Sequence, residues 1–206
     1  MSDSDAREET VSFMLEHEVR PEHARHVSAL ALQLFDQLAA LHELGQRESL
    51  LLEAAALLHD IGHGAEPVTG GHHRESARMI REHSWKCFAP PEVEIIAQVA
   101  RYHRKGMPEN AHEEFVALTE RDRRIVQRLA ALLRLADAFD RSHGQHIQRV
   151  RVELPVNKID FHLESEGPVL REVMAARIKG DLAQAVFQRD LRFMFDGEEI
   201  EPPEGT

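Results

Sequence analysis

The segment that most restricts the fold is an almost wholly apolar stretch between residues 47 and 59. Its apolar residues occupy nearly every side of a helix, and they are Leu50, Leu51, Leu52, Ala54, Ala55, Ala56, Leu57 and Leu58. A helix that is apolar around most of its circumference has to be covered by other elements. The sequence therefore predicts a central, buried helix that stops at Gly62 and Gly64.

Further helices are predicted around this central element. A short helix is expected at 5–19, and a strongly apolar helix at about 121–141. After Pro21, apolar residues recur at three- and four-residue steps from Val27 to Leu41, which predicts an amphipathic helix. Two more helices are expected at about 72–83 and 92–103. The connecting segments 62–71, rich in glycine, and 104–120, rich in polar residues, are expected to be loops.

The pattern changes after Gly144. Residues 148–154 and 158–164 alternate apolar and polar side chains, with Pro155-Val156-Asn157 between them. This alternation is typical of two strands joined by a turn. A helix at about 168–187 and a last strand at 190–195 complete the pattern. The predicted fold class is mainly α: a helical domain, residues 1–144, with a small β-β-α-β unit, residues 145–206.

The charge and composition exclude several classes of function. The formal net charge of −11 argues against an extended nucleic-acid or membrane-binding surface, because both would be repelled. No segment approaches the run of about twenty apolar residues that a membrane-spanning helix needs. The polar start MSDSDAREET resembles neither a signal nor a transit peptide. Cys87 is the only cysteine, so internal disulfides are excluded and a reducing cytoplasm is expected.

Histidine is unusually frequent, with fourteen residues against one Tyr and one Trp. His59 and Asp60 stand at the end of the predicted buried helix. Imidazole nitrogen and carboxylate oxygen together suit Mn, Fe, Co, Zn or Mg ions. A carboxylate has two oxygens and can bridge two ions, which together activate water and neutralise charge on phosphate. This dipeptide alone is weak evidence for a metal site.

Other polar residues interrupt the apolar helices in the same way. Asp137 lies within the apolar run 132–139, where a carboxylate is costly unless it is paired or bound to metal. The alternative explanation is an ion pair with Arg134 or Arg141. Further histidines stand at predicted helix ends, where a bundle can bring them together: His23, His72, His73 and His103.

These residues resemble a known family. His23, His59-Asp60 and Asp137, in this order, resemble the H…HD…D signature of the HD-domain metal-dependent phosphohydrolases. The likeness is closest to the C-terminal HD region of exopolyphosphatase/guanosine-pentaphosphatase (Ppx/GppA-type) proteins and covers about residues 10 to 195. Its motifs are AAALLHDIGHG (54–64), GGHHRESARMI (70–80), VARYHRKGMP (99–108), LLRLADAFDRSHG (132–144) and AARIKGDLAQAVF (175–187).

The resemblance implies an HD-domain helical bundle that holds one or two divalent ions. The first ion would be held by His23, His59, Asp60 and Asp137. Asp60 would bridge to a second ion completed by His103 and by either His72 or His73. His26 aligns with an outer position rather than with a ligand.

The resemblance also implies phosphate chemistry. With Asp60 as the catalytic carboxylate holding the metal, cations at the rim would contact phosphate, and the candidates are Arg104, Lys105 and Arg141, with Arg74 a weaker one. The expected function is metal-dependent hydrolysis of a nucleotide, an alarmone or a short phosphate anhydride. Ppx/GppA-type proteins also carry an actin-like pair of domains that cleaves polyphosphate. We expect no such pair in these 206 residues, so polyphosphatase activity does not follow.

A non-catalytic module that binds nucleotide or polyphosphate is the alternative. In that hypothesis Phe115, Phe139 and an edge strand at 190–195 would support a homodimer interface. The histidines that match nothing in the signature are predicted to lie on the surface, and they are His17, His42, His83, His112 and His162.

Overall fold

The computed structural model describes residues 2–64, 71–104, 106–109 and 111–201. It has the predicted fold class, mainly α with a small sheet near the C-terminus. The longer helices of the bundle are α1 (Asp3–His17), α2 (Pro21–Gln37), α4 (Gln46–Leu58), α5 (His72–Glu82), α6 (Pro90–Arg101) and α8 (Glu120–Ala138). The shorter ones are α3 (Ala39–His42), α7 (Glu113–Val116), α9 (Leu170–Lys179) and α10 (Asp181–Phe187), and a 3-10 turn covers Ile61–Gly64.

Helix α4 occupies the centre of the bundle, as its apolar sequence predicts. It packs against α1, α2, α6 and α8. Its first turn is closed by the Glu48 carboxylate, which accepts a hydrogen bond from the Gly45 backbone N–H at 2.9 Å. At its other end Gly62 lies so close to α5 that a Cβ there would stand 2.6 Å from the Ser76 nitrogen. A glycine at this position therefore lets α5 approach the end of α4.

The C-terminal sheet has the order β1-β2-β3-β4 within the described residues. Its strands are β1 (Ile147–Glu153), β2 (Lys158–Ser165), β3 (Asp190–Phe195) and β4 (Glu198–Glu199). β1 and β2 are antiparallel, β2 and β3 are parallel, and β3 and β4 are antiparallel. The short β4 has no counterpart among the predicted elements, and neither has α7, which lies in the predicted loop 104–120.

The helix predicted at 168–187 is two helices, α9 and α10, which meet at Gly180. A Cβ on Gly180 would lie 2.6 Å from Leu191 Cδ1, so β3 packs directly against this junction. The side chain of Asp181 accepts a hydrogen bond from the backbone N–H of Leu182, at 2.7 Å, in the first turn of α10. The continuous apolar periodicity of the two helices predicted one helix, although Gly180 followed by Asp181 is a combination that ends one helix and begins another.

The sheet shares its apolar core with the bundle. Phe139, at the end of α8, packs its ring 6.0 Å from the rings of Phe161 and Phe193 on β2 and β3. The side-chain amide of Gln37 on α2 also donates to the Val150 carbonyl of β1 at 2.7 Å. These contacts fix the C-terminal unit against the helices. The division of the chain near residue 144 stays a prediction.

The prediction that Phe115 and Phe139 lie in a dimer interface is wrong. Phe115 is 2 % exposed and Phe139 is fully buried, because both pack inside the core. β3 pairs with β2 on one side, and on the other side the two-residue β4 covers only its last residues, Met194 and Phe195, so the predicted edge strand is contradicted at that end alone. A homodimer built on other residues stays a prediction. Within the part of the chain that the structure describes, none of the helices combines the length and apolarity needed to cross a bilayer.

His42 is buried, which contradicts its predicted surface position. Its Nε2 donates to the Phe35 carbonyl at 2.7 Å, and its Nδ1 accepts from the Leu44 backbone N–H at 2.9 Å. The ring thereby provides hydrogen-bond partners for a backbone carbonyl of α2 and for a backbone N–H in the segment that follows α3. Of the other four histidines in that group, His17 is exposed, whereas His83, His112 and His162 are half-buried.

Burial of His42 predicts a specific pH dependence of stability. Burial lowers the pKa of His42, and the hydrogen bond to Phe35 only partly opposes this. The unfolded chain, with a histidine pKa of about 6.5, then binds more protons than the folded one as the solution becomes acidic. We expect the free energy of unfolding of the wild type to fall more between pH 7 and pH 5 than that of His42→Gln. Urea unfolding in the presence of EDTA measures the free energy of unfolding of both proteins. Equal pH dependence in the two proteins would contradict the lowered pKa of His42.

Candidate metal centre

His59 and Asp60 follow directly after the last residue of α4. Both are buried, with 0 % and 5 % of their surface exposed. The Nδ1 of His59 donates to the Ala56 carbonyl at 2.7 Å, and the Nδ1 of His103 donates to the Ala100 carbonyl at 2.6 Å. Each of these two bonds fixes the tautomer of its ring, so that each histidine presents the lone pair of its Nε2. The Nε2 of His59 has no hydrogen-bond partner among the described residues, whereas that of His103 lies 3.4 Å from His72 Nε2.

The two oxygens of Asp60 face different histidines. Its Oδ1 lies 3.2 Å from His72 Nε2 and 3.5 Å from His103 Nε2. Its Oδ2 lies 3.7 Å from His59 Nε2. A single carboxylate therefore stands between two sets of nitrogen donors, which is the arrangement that a bridging ligand needs.

His23 and Asp137 approach the same point from α2 and α8. His23 Nε2 lies 3.6 Å from Asp137 Oδ1, and His59 Nε2 lies 3.8 Å from the same oxygen. On its other side His23 Nδ1 is 2.7 Å from Asp140 Oδ2. A carboxylate bonded to the outer nitrogen orients a histidine and makes it a better donor. Asp140 follows Asp137 by three residues. The two carboxylates thus face the two nitrogens of the His23 ring, Asp137 at Nε2 and Asp140 at Nδ1.

The donor set fits a divalent cation. Among the described residues, the buried polar atoms that have no hydrogen-bond partner include His23 Nε2, His59 Nε2 and Asp60 Oδ1. A ligand atom from each of His23, His59 and Asp60 lies within 4.8 Å of the others, and the same holds for Asp60, His72 and His103. Unpaired buried nitrogen and oxygen atoms are costly, and a bound cation would satisfy them.

The structure brings His72, not His73, to Asp60. His73 is the next residue on α5 and is therefore turned by about 100° around the helix. Its ring centroid is 5.8 Å from that of His72 and 6.4 Å from that of His103. Burial and then the charges of His72 and Arg104 lower the pKa of His73 to about 4, so this ring is neutral at pH 7.

The protonation states of Asp60 and His103 also suit metal binding. Burial favours the neutral form of Asp60, but His59, His72 and His103 outweigh it and hold the pKa of this carboxyl well below its usual range. Burial lowers the pKa of His103 well below 6.5, which keeps its ring neutral. An ionised carboxylate and a neutral imidazole are the forms that bind metal.

His23 is the exception. Burial lowers its pKa, yet the hydrogen bonds and charges of Asp137 and Asp140 outweigh burial and raise the pKa of His23 to about 9. Binding of a cation at its Nε2 would therefore displace a proton.

A cavity of about 250 Å³ opens over these residues. It is lined by Arg20, Asp60, His63, His72, His103, Arg104, Asp137, Arg141, His143 and Lys179. Of the predicted phosphate contacts, Arg104 and Arg141 are exposed at its wall, and Lys105 lies outside the described residues. Arg74 is exposed and does not belong to the lining. His26 instead donates from Nε2 to the Ile147 carbonyl at 2.9 Å, which ties α2 to β1.

The family described as Ppx/GppA phosphatase, domain III, matches residues 6–184. The chain belongs to this family. The matched region extends from α1 into α10 and thus includes every residue of the candidate centre. Membership in a family of phosphatases supports a phosphatase-related function for the chain.

In this Ppx/GppA domain III, the partner of Asp137 differs from the predicted alternatives. Lys179, the last residue of α9, forms the ion pair with Asp137. Arg134 points away and pairs with Asp181 at 2.6 Å, and Arg141 lies at the cavity wall. Little in the sequence pointed to Lys179, because it is separated from Asp137 by 42 residues and belongs to the predicted C-terminal unit.

Other residues of the domain III centre were also missed. Arg20 Nη2 lies 3.3 Å from Asp60 Oδ2, and His63 Nε2 lies 3.5 Å from the same oxygen. His143 packs its ring 4.2 Å from that of His23. Asp140 could have been found, since it follows Asp137 by three residues, the spacing of side chains on one face of a helix, although α8 itself ends at Ala138. His63 also stands near the His59-Asp60 pair, whereas Arg20 and His143 carry no such local signal.

Proposed function

We propose that this Ppx/GppA domain III is an HD-type, divalent-metal-dependent phosphohydrolase. Its substrate is a small phosphorylated compound: a nucleotide, an alarmone or a short phosphate anhydride. The observation that carries the proposal is the shared position of Asp60 between two groups of facing donors. The family's phosphatase name supports the same class of reaction.

His23, His59, Asp60 and Asp137 would hold a first ion, and Asp60, His72 and His103 a second. When bound, such ions supply Lewis acidity and lower the pKa of a coordinated water towards neutrality. The chain's own contribution is to keep these donors aligned in a site with little solvent. The backbone carbonyls of Ala56 and Ala100 hold the rings of His59 and His103 in place before any ligand arrives.

The cations of the cavity would bind the phosphate oxygens. Arg104 and Arg141 line its wall, and Arg20 lies beside Asp60. A guanidinium group binds two phosphate oxygens at once, so these side chains would fix the orientation of the phosphate. They would also offset the negative charge that builds up on those oxygens as the phosphate bond breaks. The predicted role of Lys105 is the same.

The size of the cavity favours a compact reacting group. Sites that enclose a whole drug-sized ligand measure roughly 300–1,000 Å³, whereas this cavity measures about 250 Å³. One or two phosphate groups would enter it, and a nucleoside would remain largely outside. A nucleotide, an alarmone or a short anhydride satisfies this limit through its terminal phosphate.

Metal analysis and a hydrolysis screen test the proposal directly. We expect the purified protein to carry tightly bound divalent metal, and to release phosphate from nucleotides or pyrophosphate when Mn²⁺ is supplied. EDTA should remove this activity, and added Mn²⁺ should restore it, because the reaction needs the ion. Elemental analysis and a phosphate-release assay give the two readouts. Protein that binds no metal and has no turnover with any of these substrates would refute the proposal.

A non-catalytic module for nucleotide or polyphosphate binding is the second candidate. The exposed Arg104 and Arg141 at the cavity wall favour it, since they would bind phosphate with or without turnover. Micromolar nucleotide binding by metal-free protein, without hydrolysis in the Mn²⁺-supplemented screen, would support this candidate instead.

A further inference from the structure

One residue of the C-terminal unit reaches the candidate centre. Among the described residues that line the cavity, Lys179 is the one that follows residue 144. Its side chain is 15 % exposed, and its ammonium group contacts Asp137 Oδ2. The opposite oxygen of Asp137 faces His23 and His59. Lys179 therefore stands at the boundary between the buried donors and the open cavity.

The fold holds Lys179 in this position from several sides. Helix α9 packs against α8, and its residues Val173 and Ala176 are fully buried. Glu172, also on α9, accepts a hydrogen bond from the backbone N–H of Ser142 at 3.1 Å. The close packing of Gly180 against Leu191 fixes the end of the helix directly after Lys179. The side chain is thus presented to the cavity by a rigid element.

An ammonium group beside a proposed metal ligand requires an explanation. Like charges repel, so Lys179 opposes the binding of a divalent cation at Asp137. A partly buried ion pair is also weak evidence for a gain in stability. An ammonium group has three N–H donors, and the Asp137 oxygen takes only one of them. Among the described residues the other two have no partner, and Lys179 lines the cavity together with Arg104 and Arg141.

We propose that Lys179 binds a phosphate oxygen of the ligand, so that the C-terminal unit supplies part of the anion site. The inference rests on the proposed function in one respect, namely that the ligand carries phosphate. The basic side chains of the cavity outnumber its two carboxylates, Asp60 and Asp137, although the whole chain has a net charge of −11. This local excess of positive charge is offset when an anion binds between Lys179 and the arginines.

Inorganic phosphate is the probe for this inference. We would measure its binding to the full-length, Mn²⁺-loaded protein by isothermal titration calorimetry, for the wild type, Lys179→Gln, Lys179→Arg and the control Lys86→Gln. Loss of a charge-assisted hydrogen bond should weaken phosphate binding in Lys179→Gln roughly tenfold or more. Lys179→Arg should recover most of the affinity. Lys86 is exposed and outside the cavity, so its variant should bind phosphate as the wild type does.

The Mn²⁺ affinity of each variant separates this role from a structural one. If Lys179 binds phosphate, Lys179→Gln should hold Mn²⁺ at least as tightly as the wild type, because a repelling charge has been removed. Unchanged phosphate binding in Lys179→Gln, or weaker Mn²⁺ binding in that variant, would overturn the inference. Phosphate binding that depends on Lys179 in a protein without any turnover would support the inference and contradict the proposed hydrolysis alone.

Discussion

Asp60→Asn is expected to abolish metal-dependent hydrolysis and to lower metal affinity by about 100-fold or more. The asparagine keeps the size of the side chain but removes its charge and one of its two acceptor oxygens. Even residues that only orient metal ligands change affinity by roughly 10- to 100-fold. Because Asp60 lies between the two donor groups, its replacement should affect both of them. Metal titration and phosphate release measure the two losses.

Asp160→Asn is the matched control for this variant. Asp160 is also 5 % exposed and is ionically paired, with Arg192 on β3, but it does not line the cavity. Loss of its charge should therefore reduce stability without changing metal content. Circular dichroism would verify that both variants are folded. A folded Asp60→Asn protein with full metal-dependent hydrolysis would rule out the proposed centre.

Arg134→Met is expected to lower the free energy of unfolding by about 3 kcal/mol, a value typical for loss of a buried hydrogen-bonded network. Arg134 is fully buried on α8. Its guanidinium group donates to the carbonyls of Tyr102 and Gly106, and pairs with Asp181. Methionine fills a similar volume, but it leaves the two carbonyls without their donor. Urea unfolding of metal-free protein gives the difference in stability.

Asp181→Asn is the control that separates the ion pair from the backbone contacts. The Asp181 side chain is 48 % exposed, and asparagine keeps an acceptor oxygen for the buried Arg134, so the loss of its charge is expected to cost less than Arg134→Met does. The two carbonyls bound by Arg134 stand on either side of His103. We therefore expect Arg134→Met, unlike Asp181→Asn, to weaken metal binding as well. Equal losses of stability in both variants would show that the ion pair, not the backbone contacts, is the main contribution.

The sequence predicted the long helices closely. The apolar run at 47–59 corresponds to α4, Gln46–Leu58, and the prediction at 121–141 corresponds to α8, Glu120–Ala138. The apolar periodicity of these segments is strong because each buries a wide face in the bundle. The strands at 148–154 and 158–164 were also found, since apolar and polar residues alternate along each of them in the sequence. The burial of the side chains follows this alternation only in part, because Asp160 is buried between Ile159 and Phe161 on β2. Signals of this kind are contained in consecutive residues.

Predictions failed where the outcome depended on a contact between distant elements. Gly180, where α9 and α10 meet, packs directly against Leu191 of β3, and the burial of His42 goes with its bonds to Phe35 and Leu44. Phe139 was considered for an interface because the sequence does not show that β2 and β3 cover it. A histidine or a phenylalanine can lie inside or outside a fold, and a glycine can continue or end a helix. In each of these cases the packing decides between the two outcomes.

The residues of the candidate centre also fall into two groups, those that the sequence indicated and those that only the packing of distant elements identified. The sequence by itself determined which residue types would be available at the ends and inner faces of the helices: His59 and Asp60 after a buried helix, and Asp137 in an apolar one. Only the tertiary structure decided that His72 rather than His73 faces Asp60, and that Lys179 is the partner of Asp137. The physical reason is that helical periodicity is set by neighbours in the chain. The partner of a buried charge is set by elements that meet only when the whole chain has packed.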